Sequence, residues 1–239
     1  MSNELRNIPI IVLCGGLGTR LRSVFVDLPK ILASMGDKTL LDMIMTMLTK
    51  AGFEKIILSV GYLKEQVKAH CEERGYRVVF SEEDEPLGTG GAVKRALHFT
   101  NGAERFFIMN GDMVFSPDFN ALCAFHNEKE GILSMALTKS YRGDSGNIVE
   151  MDETQRVTGW RKKTDADANG TFHLNAGIYI VNRKIAKLFP DKSAFSLEDE
   201  FFPTLFRRHC YGFRTDEILI DIGVPERYRI ARKMYPVVM

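Results

Sequence analysis

Three closely spaced glycines and two arginines stand at the end of the first apolar run of this 239-residue chain. Ile8 to Leu13 reads as a buried strand, and it breaks into Cys14-Gly15-Gly16-Leu17-Gly18-Thr19-Arg20-Leu21-Arg22. Glycines let a backbone approach an anion closely. Successive N–H groups then line a concave, partly positive surface. Arginine adds charge and forked hydrogen bonds, so the pattern suits phosphate. A dinucleotide fingerprint fits poorly, because Leu21 stands where its third glycine belongs. A Walker A loop fits poorly too, because Gly18 is followed by Thr19-Arg20. A tight turn after a buried strand is the plain structural alternative.

Other residues with chemical potential fall at the ends of later strands. Asp27-Leu28-Pro29-Lys30 follows the glycines and supplies a cation. Glu82-Glu83-Asp84-Glu85-Pro86-Leu87-Gly88-Thr89-Gly90-Gly91-Ala92 follows a strand and opens a helix, with Thr89 as the expected N-cap. Asn110-Gly111-Asp112 ends an apolar strand, which places a carboxylate where Mg²⁺ and phosphate oxygens can share it. Asp221 ends another short apolar run ahead of Gly223. Two carboxylates distant in sequence, each at a strand end, can converge on one ion.

Taken together, G-G-x-G-T-R-L, the later P-K, E-P-L-G-T-G-G, G-D, N-A-G and the late D-x-G resemble the sugar-nucleotide nucleotidyltransferase family over essentially the whole chain. The resemblance implies transfer of a nucleotidyl group from an NTP to a sugar 1-phosphate with release of pyrophosphate. It implies nucleotide contacts from Cys14, Gly15, Gly16, Gly18, Thr19, Arg20, Glu83, Leu87, Gly88 and Thr89. Arg20, Lys30, Asp112 and Lys163 are the implied catalytic residues, with Mg²⁺ held by Asp112 and Asp221. Asn110, Lys163, Asn175, Gly177 and Glu198 are the implied sugar-phosphate residues. Ser196 reads equally as a plain helix cap, with Glu198 an acidic first-turn residue. Three positions depart from the family pattern: Ile31 for proline, Lys162 for glutamate and Thr164 for proline. The motif forms resemble most those of guanylyltransferases, which implies GTP with a heptose 1-phosphate. A uridylyltransferase acting on N-acetylmuramate or another hexose 1-phosphate, and a nucleotide-sensing homologue with little turnover, are the alternatives.

The elements that must position these residues follow from periodicity. The first half alternates strands at Ile8–Leu13, Lys55–Val60, Tyr76–Ser81 and Arg105–Met109 with helices at Thr39–Lys50, Leu63–Glu73 and Gly90–Phe99. Such alternation predicts an α/β fold with a mostly parallel sheet covered on both faces. The resemblance implies the family's Rossmann-like three-layer form with a mixed central sheet. The second half predicts strands at Leu133–Thr138, Ile148–Met151, Arg156–Arg161 and Phe172–Val181. Helices are expected at Arg183–Leu188, Leu197–Arg208 and Pro225–Met234, and a loop tip at Asp165–Gly170. One domain is expected over 1–239, with a nucleotide half to about residue 115 and a sugar-phosphate half beyond it.

Composition narrows the classes. A formal charge of +1 gives no global reason to expect nucleic-acid or membrane partners. Cys14, Cys71, Cys123 and Cys210 are scattered and form no C-x-x-C pair, as in a reduced cytoplasmic protein. Cys14 reads as a small buried residue closing its strand rather than a reactive thiol. The expected partners are the two substrates, and a homodimer is left open.

Overall fold

The structure, a computed structural model, describes residues 4–16, 27–114, 117–139, 146–164, 167, 170, 172–206, 208–217, 219–222 and 225–238. Among them, Ile10–Leu13 (β1), Ile56–Val60 (β2), Val79–Glu82 (β3) and Arg105–Asn110 (β4) run parallel to one another. Leu133–Lys139 (β6) and Cys210–Thr215 (β10) form a second parallel pair. His173–Asn182 (β9) joins the two groups by pairing antiparallel with both β4 and β6. The path across the sheet is β10-β6-β9-β4-β1-β2-β3, so one sheet carries strands from both halves of the chain. Asn147–Met151 (β7) and Val157–Lys162 (β8) form a hairpin attached to β9. Met113–Val114 (β5) pairs antiparallel with Ile220–Asp221 (β11).

Alternation along the strands builds three layers. Ile10, Val12, Phe107 and Met109 enter the apolar cluster on one face, and Ile11, Phe106 and Ile108 enter the cluster on the other. The first face is covered by Leu40–Ala51 (α1), Lys64–Glu73 (α2), Phe119–Glu128 (α4) and Pro225–Val238 (α5). The second is covered by Gly88–Ala96 (α3), by the β7–β8 hairpin and by an aromatic segment from Phe195 to Leu205. Because both faces are buried, the central strands are predominantly apolar. No helix among the described residues is long and apolar enough to cross a membrane.

Helix α1 shows how local sequence sets an element. Thr39 accepts from the Asp42 N–H while the Asp42 carboxylate accepts from the Thr39 N–H, which caps the start. Gly52 ends the helix at φ 100°, a left-handed conformation that favours glycine.

Several sequence expectations need correction. Residues 76–78 precede β3 rather than belong to it. Helix α3 starts at Gly88, and Thr89 is not its N-cap, because its hydroxyl is committed elsewhere. The helix expected over Leu197–Arg208 is instead a wide turn at Leu197–Phe201 and a 3₁₀ turn at Phe202–Thr204. Pro203 lacks the N–H a continuing helix needs, and packed rings from Phe195, Phe201 and Phe202 hold this stretch by tertiary contact. The Arg183–Leu188 segment is also 3₁₀ rather than α-helical. Helix α4 and strand β10 lie outside the elements expected from periodicity.

Candidate active site

The ends of β1, β2, β3 and β4 gather at one pole of the sheet, where open α/β sheets bind ligands. Cys14, Gly15 and Gly16 leave β1 there. Gly18, Thr19 and Arg20 lie outside the described residues. The Cys14 thiol is buried and donates to the Val12 carbonyl, and burial raises its pKa well above the ordinary range. It is therefore a structural thiol, as expected.

Asn110-Gly111-Asp112 leaves β4 beside the β1 exit. A Cβ on Gly111 would stand 2.7 Å from the Leu13 carbonyl oxygen, so only glycine lets the two strand ends approach this closely. The Asp112 carboxylate pairs with Lys30 Nζ at 2.6 Å. Lys30 is mostly buried, whereas the Asp112 side chain is 39% exposed. The pair thus sets a cation and an accessible carboxylate side by side at the strand end. Ile31 belongs to the same turn: it is buried in the core and lies against Gly111, which accounts for an apolar residue there.

Asp221 is near in register. Its residue pairs with Met113, and the Ile222 N–H donates to the Asp112 carbonyl. The Asp221 side chain lies outside the description. Carboxylate oxygens from one or two residues form the hard donor set that Mg²⁺ takes alongside phosphate oxygens. The accessible Asp112 carboxylate supplies such a donor, and the Asp221 backbone lies next to it.

On the other flank, Glu83 is buried behind the glycine turn. It accepts from Ser59 Oγ at 3.1 Å and from the Leu87 N–H at 3.1 Å. A Cβ on Gly15 would lie 3.1 Å from its carboxylate. Glu83 therefore shapes the Leu87-Gly88 loop from behind. Ser59, which the sequence reading missed, carried a signal: it is the one polar residue in Ile56–Val60.

Of the expected sugar-phosphate residues, Asn110 contacts Glu198, and Asn175 and Gly177 lie on β9 with Tyr179, which also reaches it. Thr89 Oγ1 donates to Glu198 Oε2 at 2.8 Å, and Asn110 Nδ2 and Tyr179 Oη approach Oε1 at 3.4 Å each. Asn175 is tied to its own strand: Nδ2 donates to Tyr179 Oη, and Oδ1 accepts from the Gly177 N–H. Between Met135 and Leu137 of β6 the register with β9 shifts. Gly177 sits in that irregularity at φ 65°, and a Cβ there would strike Met113 and Asn110. Among the described residues, buried Asn110 Oδ1 has no hydrogen-bond partner, so an acceptor stands ready beside Glu198. Tyr179 is the other residue missed. Its phenol is fully buried, and burial with the nearby Glu198 carboxylate raises its pKa well above the ordinary range.

Ser196 also caps the turn that carries Glu198, since Oγ accepts from the Asp199 N–H. The cap and the glutamate's contacts coexist.

Lys163 follows β8 near the start of β9, where Asn147 pairs with Lys162 and Ile148 with Leu174. Its N–H donates to the Gly146 carbonyl. One of the two departures beside it, Thr164, has a local partner. Thr164 donates its N–H and its hydroxyl to Asp167, and Arg161 clasps the same carboxylate with two nitrogens at 2.8 Å. A proline at 164 would lack that N–H. The Arg161 guanidinium holds the Asp167 carboxyl well below the usual range. Lys162 is exposed, and nothing in the structure explains its charge.

A strand-end glycine turn, a lysine–aspartate pair and a braced second loop define an α/β phosphate-handling enzyme of the Rossmann-like class. Residues 9–234 match the Nucleotidyl transferase family, and the chain belongs to it. It is 36% identical to D-glycero-alpha-D-manno-heptose 1-phosphate guanylyltransferase of Aneurinibacillus thermoaerophilus, over 93% of this chain and 96% of that one. It is 35% identical to the protein of the same name from Campylobacter jejuni, over 91% and 96%. The crystal structure of HddC from Yersinia pseudotuberculosis complexed with GMP-PN is similar at a TM-score of 0.85 and 31% identity, covering 95% of this chain and 99% of that one.

Proposed function

We propose that this protein joins GTP to a D-glycero-D-manno-heptose 1-phosphate, forming GDP-heptose and pyrophosphate. The observation that carries the reading is near-full-length similarity to two guanylyltransferases of that specificity. The solved relative in complex with GMP-PN, a guanine-nucleotide analogue, supports the choice of base.

The chemistry follows from charge. A phosphate oxygen of the sugar 1-phosphate attacks the α-phosphorus of GTP. The bond from that phosphorus to the bridging oxygen of the β-phosphate breaks, and pyrophosphate leaves with the electron pair. The attacking oxygen is already ionised, so no general base is required. Two anions must be brought together, and catalysis rests on positioning and neutralisation. The backbone of Gly15 to Thr19 and the Arg20 guanidinium hold the triphosphate in this scheme. Lys30, fixed by Asp112, presents its ammonium toward the α-phosphate. Lys163 neutralises the incoming phosphate. Asn110 and Glu198 receive sugar hydroxyls, while Asn175 and Gly177 shape the floor beneath them. Asp112 with Asp221 would hold Mg²⁺, which supplies charge neutralisation at the phosphates when bound.

Guanine selection is assigned to the Leu87–Gly88 loop, braced by Glu83. A base that leaves buried partners unpaired loses roughly 1–3 kcal/mol per group, so discrimination of about fivefold to a hundredfold per group is expected. Initial rates with GTP, UTP, CTP and dTTP, each against a panel of sugar 1-phosphates, test this. Preference for GTP with heptose 1-phosphate is the expected result. Preference for UTP would overturn the guanine assignment, and no pyrophosphate release with any pair would favour a nucleotide sensor.

A further inference from the structure

We propose that Thr89 is a positioning residue for the sugar subsite: its hydroxyl links the nucleotide-side helix α3 to Glu198. This rests on the reading of Glu198 as a sugar ligand, and it differs from the direct nucleotide contact that the family resemblance implies for Thr89.

The hydroxyl's commitments fix its role. A threonine hydroxyl has one proton to give and lone pairs to receive. Leu197 N–H donates into Thr89 Oγ1 at 2.8 Å, and the hydroxyl donates to Glu198 Oε2 at 2.8 Å. Receiving the N–H fixes the oxygen, so its proton has a defined direction. The second bond is charge-assisted and therefore the stronger kind. Among the described residues, Oε1 has two contacts, both at 3.4 Å, from Asn110 and Tyr179. Thr89 is thus the close restraint on the carboxylate's orientation.

The backbone around it makes the link rigid. Phe195 N–H donates to the Leu87 carbonyl, and Gly90 N–H donates to the Phe195 carbonyl. A Cβ on Gly90 would fall 2.2 Å from the Phe195 ring, and one on Gly91 would fall 2.1 Å from the Ser193 carbonyl oxygen. Lys94 Nζ adds bonds to the carbonyls of Pro190 and Lys192. The loop assigned to the base and the turn that carries Glu198 therefore form one braced unit. Within that unit the Thr89 hydroxyl is the side-chain element that reaches the carboxylate itself.

The test compares wild type, Thr89→Val, Thr89→Ala and Thr89→Ser on whichever NTP and sugar 1-phosphate the wild-type enzyme turns over fastest. Sugar 1-phosphate binding is read in parallel by titration calorimetry. Thr89→Val and Thr89→Ala are expected to raise the KM and Kd for the sugar 1-phosphate roughly tenfold. The KM for the NTP stays within about twofold on the same argument, and Thr89→Ser restores both. In a Thr89→Val/Glu198→Gln double variant the losses are not additive, because both changes break one interaction. A rise in NTP KM alone, equal rises for both substrates, no change, or additive losses would overturn the proposal. So would failure of both hydroxyl-free variants to fold while Thr89→Ser folds, since the hydroxyl would then serve the fold. A wild-type preference for another base or sugar overturns the heptose guanylyltransferase reading, while the Thr89 comparison still stands on its own result.

Discussion

Asp112 and Lys30 are 82 positions apart, yet their side chains meet at 2.6 Å where β1 and β4 end. Neutralising Asp112 would release the ammonium from its fixed position and remove the accessible carboxylate proposed for Mg²⁺. Asp112→Asn is therefore expected to lower kcat by roughly 10²–10³-fold, the equivalent of several kcal/mol at the transition state. The side chain is 39% exposed, so the unfolding midpoint should stay near that of wild type. Steady-state rates and a thermal melt on the same preparation check both halves. An Asp112→Asn enzyme with wild-type turnover would remove this carboxylate from the reaction. At this scale the sequence exposed residue types well and partners poorly. G-D and P-K are visible as motifs, whereas Tyr179 looks like an ordinary strand residue until burial gives it a carboxylate partner.

Elements with a strong local code were legible. Helix α1 has its cap, its apolar face and its terminal glycine within the span of the helix itself. Helix α4 was harder to read. Its buried positions, Phe119, Leu122, Cys123 and His126, have helical spacing, but two of them are not standard apolar residues. Strand β10 contains a central glycine and is fixed by parallel pairing with β6, a distant partner. Helix α3 yields the sharpest test at this scale. Gly91→Ala would place a methyl 2.1 Å from the Ser193 carbonyl oxygen, a backbone atom that cannot swing aside. A destabilisation of about 1–3 kcal/mol is expected in urea unfolding. An unchanged midpoint would mean that the braced loops separate easily.

At the scale of the whole molecule, buried titratable groups set how stability follows pH. His126 lies beneath the sheet with Nδ1 2.9 Å from Ser134 Oγ. Burial, followed by the charge of Arg105, pushes its pKa down from 6.5 to about 4. Between those values the unfolded chain binds a proton that the folded chain does not. Stability therefore falls as pH drops from about 6.5 toward 4, by at most about 3 kcal/mol from this group. Asp42 acts lower. Burial alone would raise its pKa, but the Thr39 N–H, the Tyr76 hydroxyl and His70 outweigh it and hold the carboxyl at about 2. Its contribution is present above the ordinary carboxylate range and is lost as pH falls toward about 2. Chemical denaturation of wild type and His126→Gln from pH 4 to 7 checks the first window. The variant should show a flatter profile, and an unchanged slope would remove His126 as its source.

The sequence by itself determined the class of fold and the residue types at the strand ends, because both are written in short-range patterns. Alternating apolar strands and helices require a covered parallel sheet, and glycines beside cations suit phosphate. Tertiary structure decided which groups meet. Antiparallel β9 joins the two parallel groups, the register at Gly177 lets Asn110 approach, and aromatic packing replaces the helix expected after Ser196. Those outcomes depend on close packing and hydrogen bonds between residues far apart in the chain. Thr89 illustrates the difference: its sequence position suggests a cap, while a glutamate 109 residues away claims its proton.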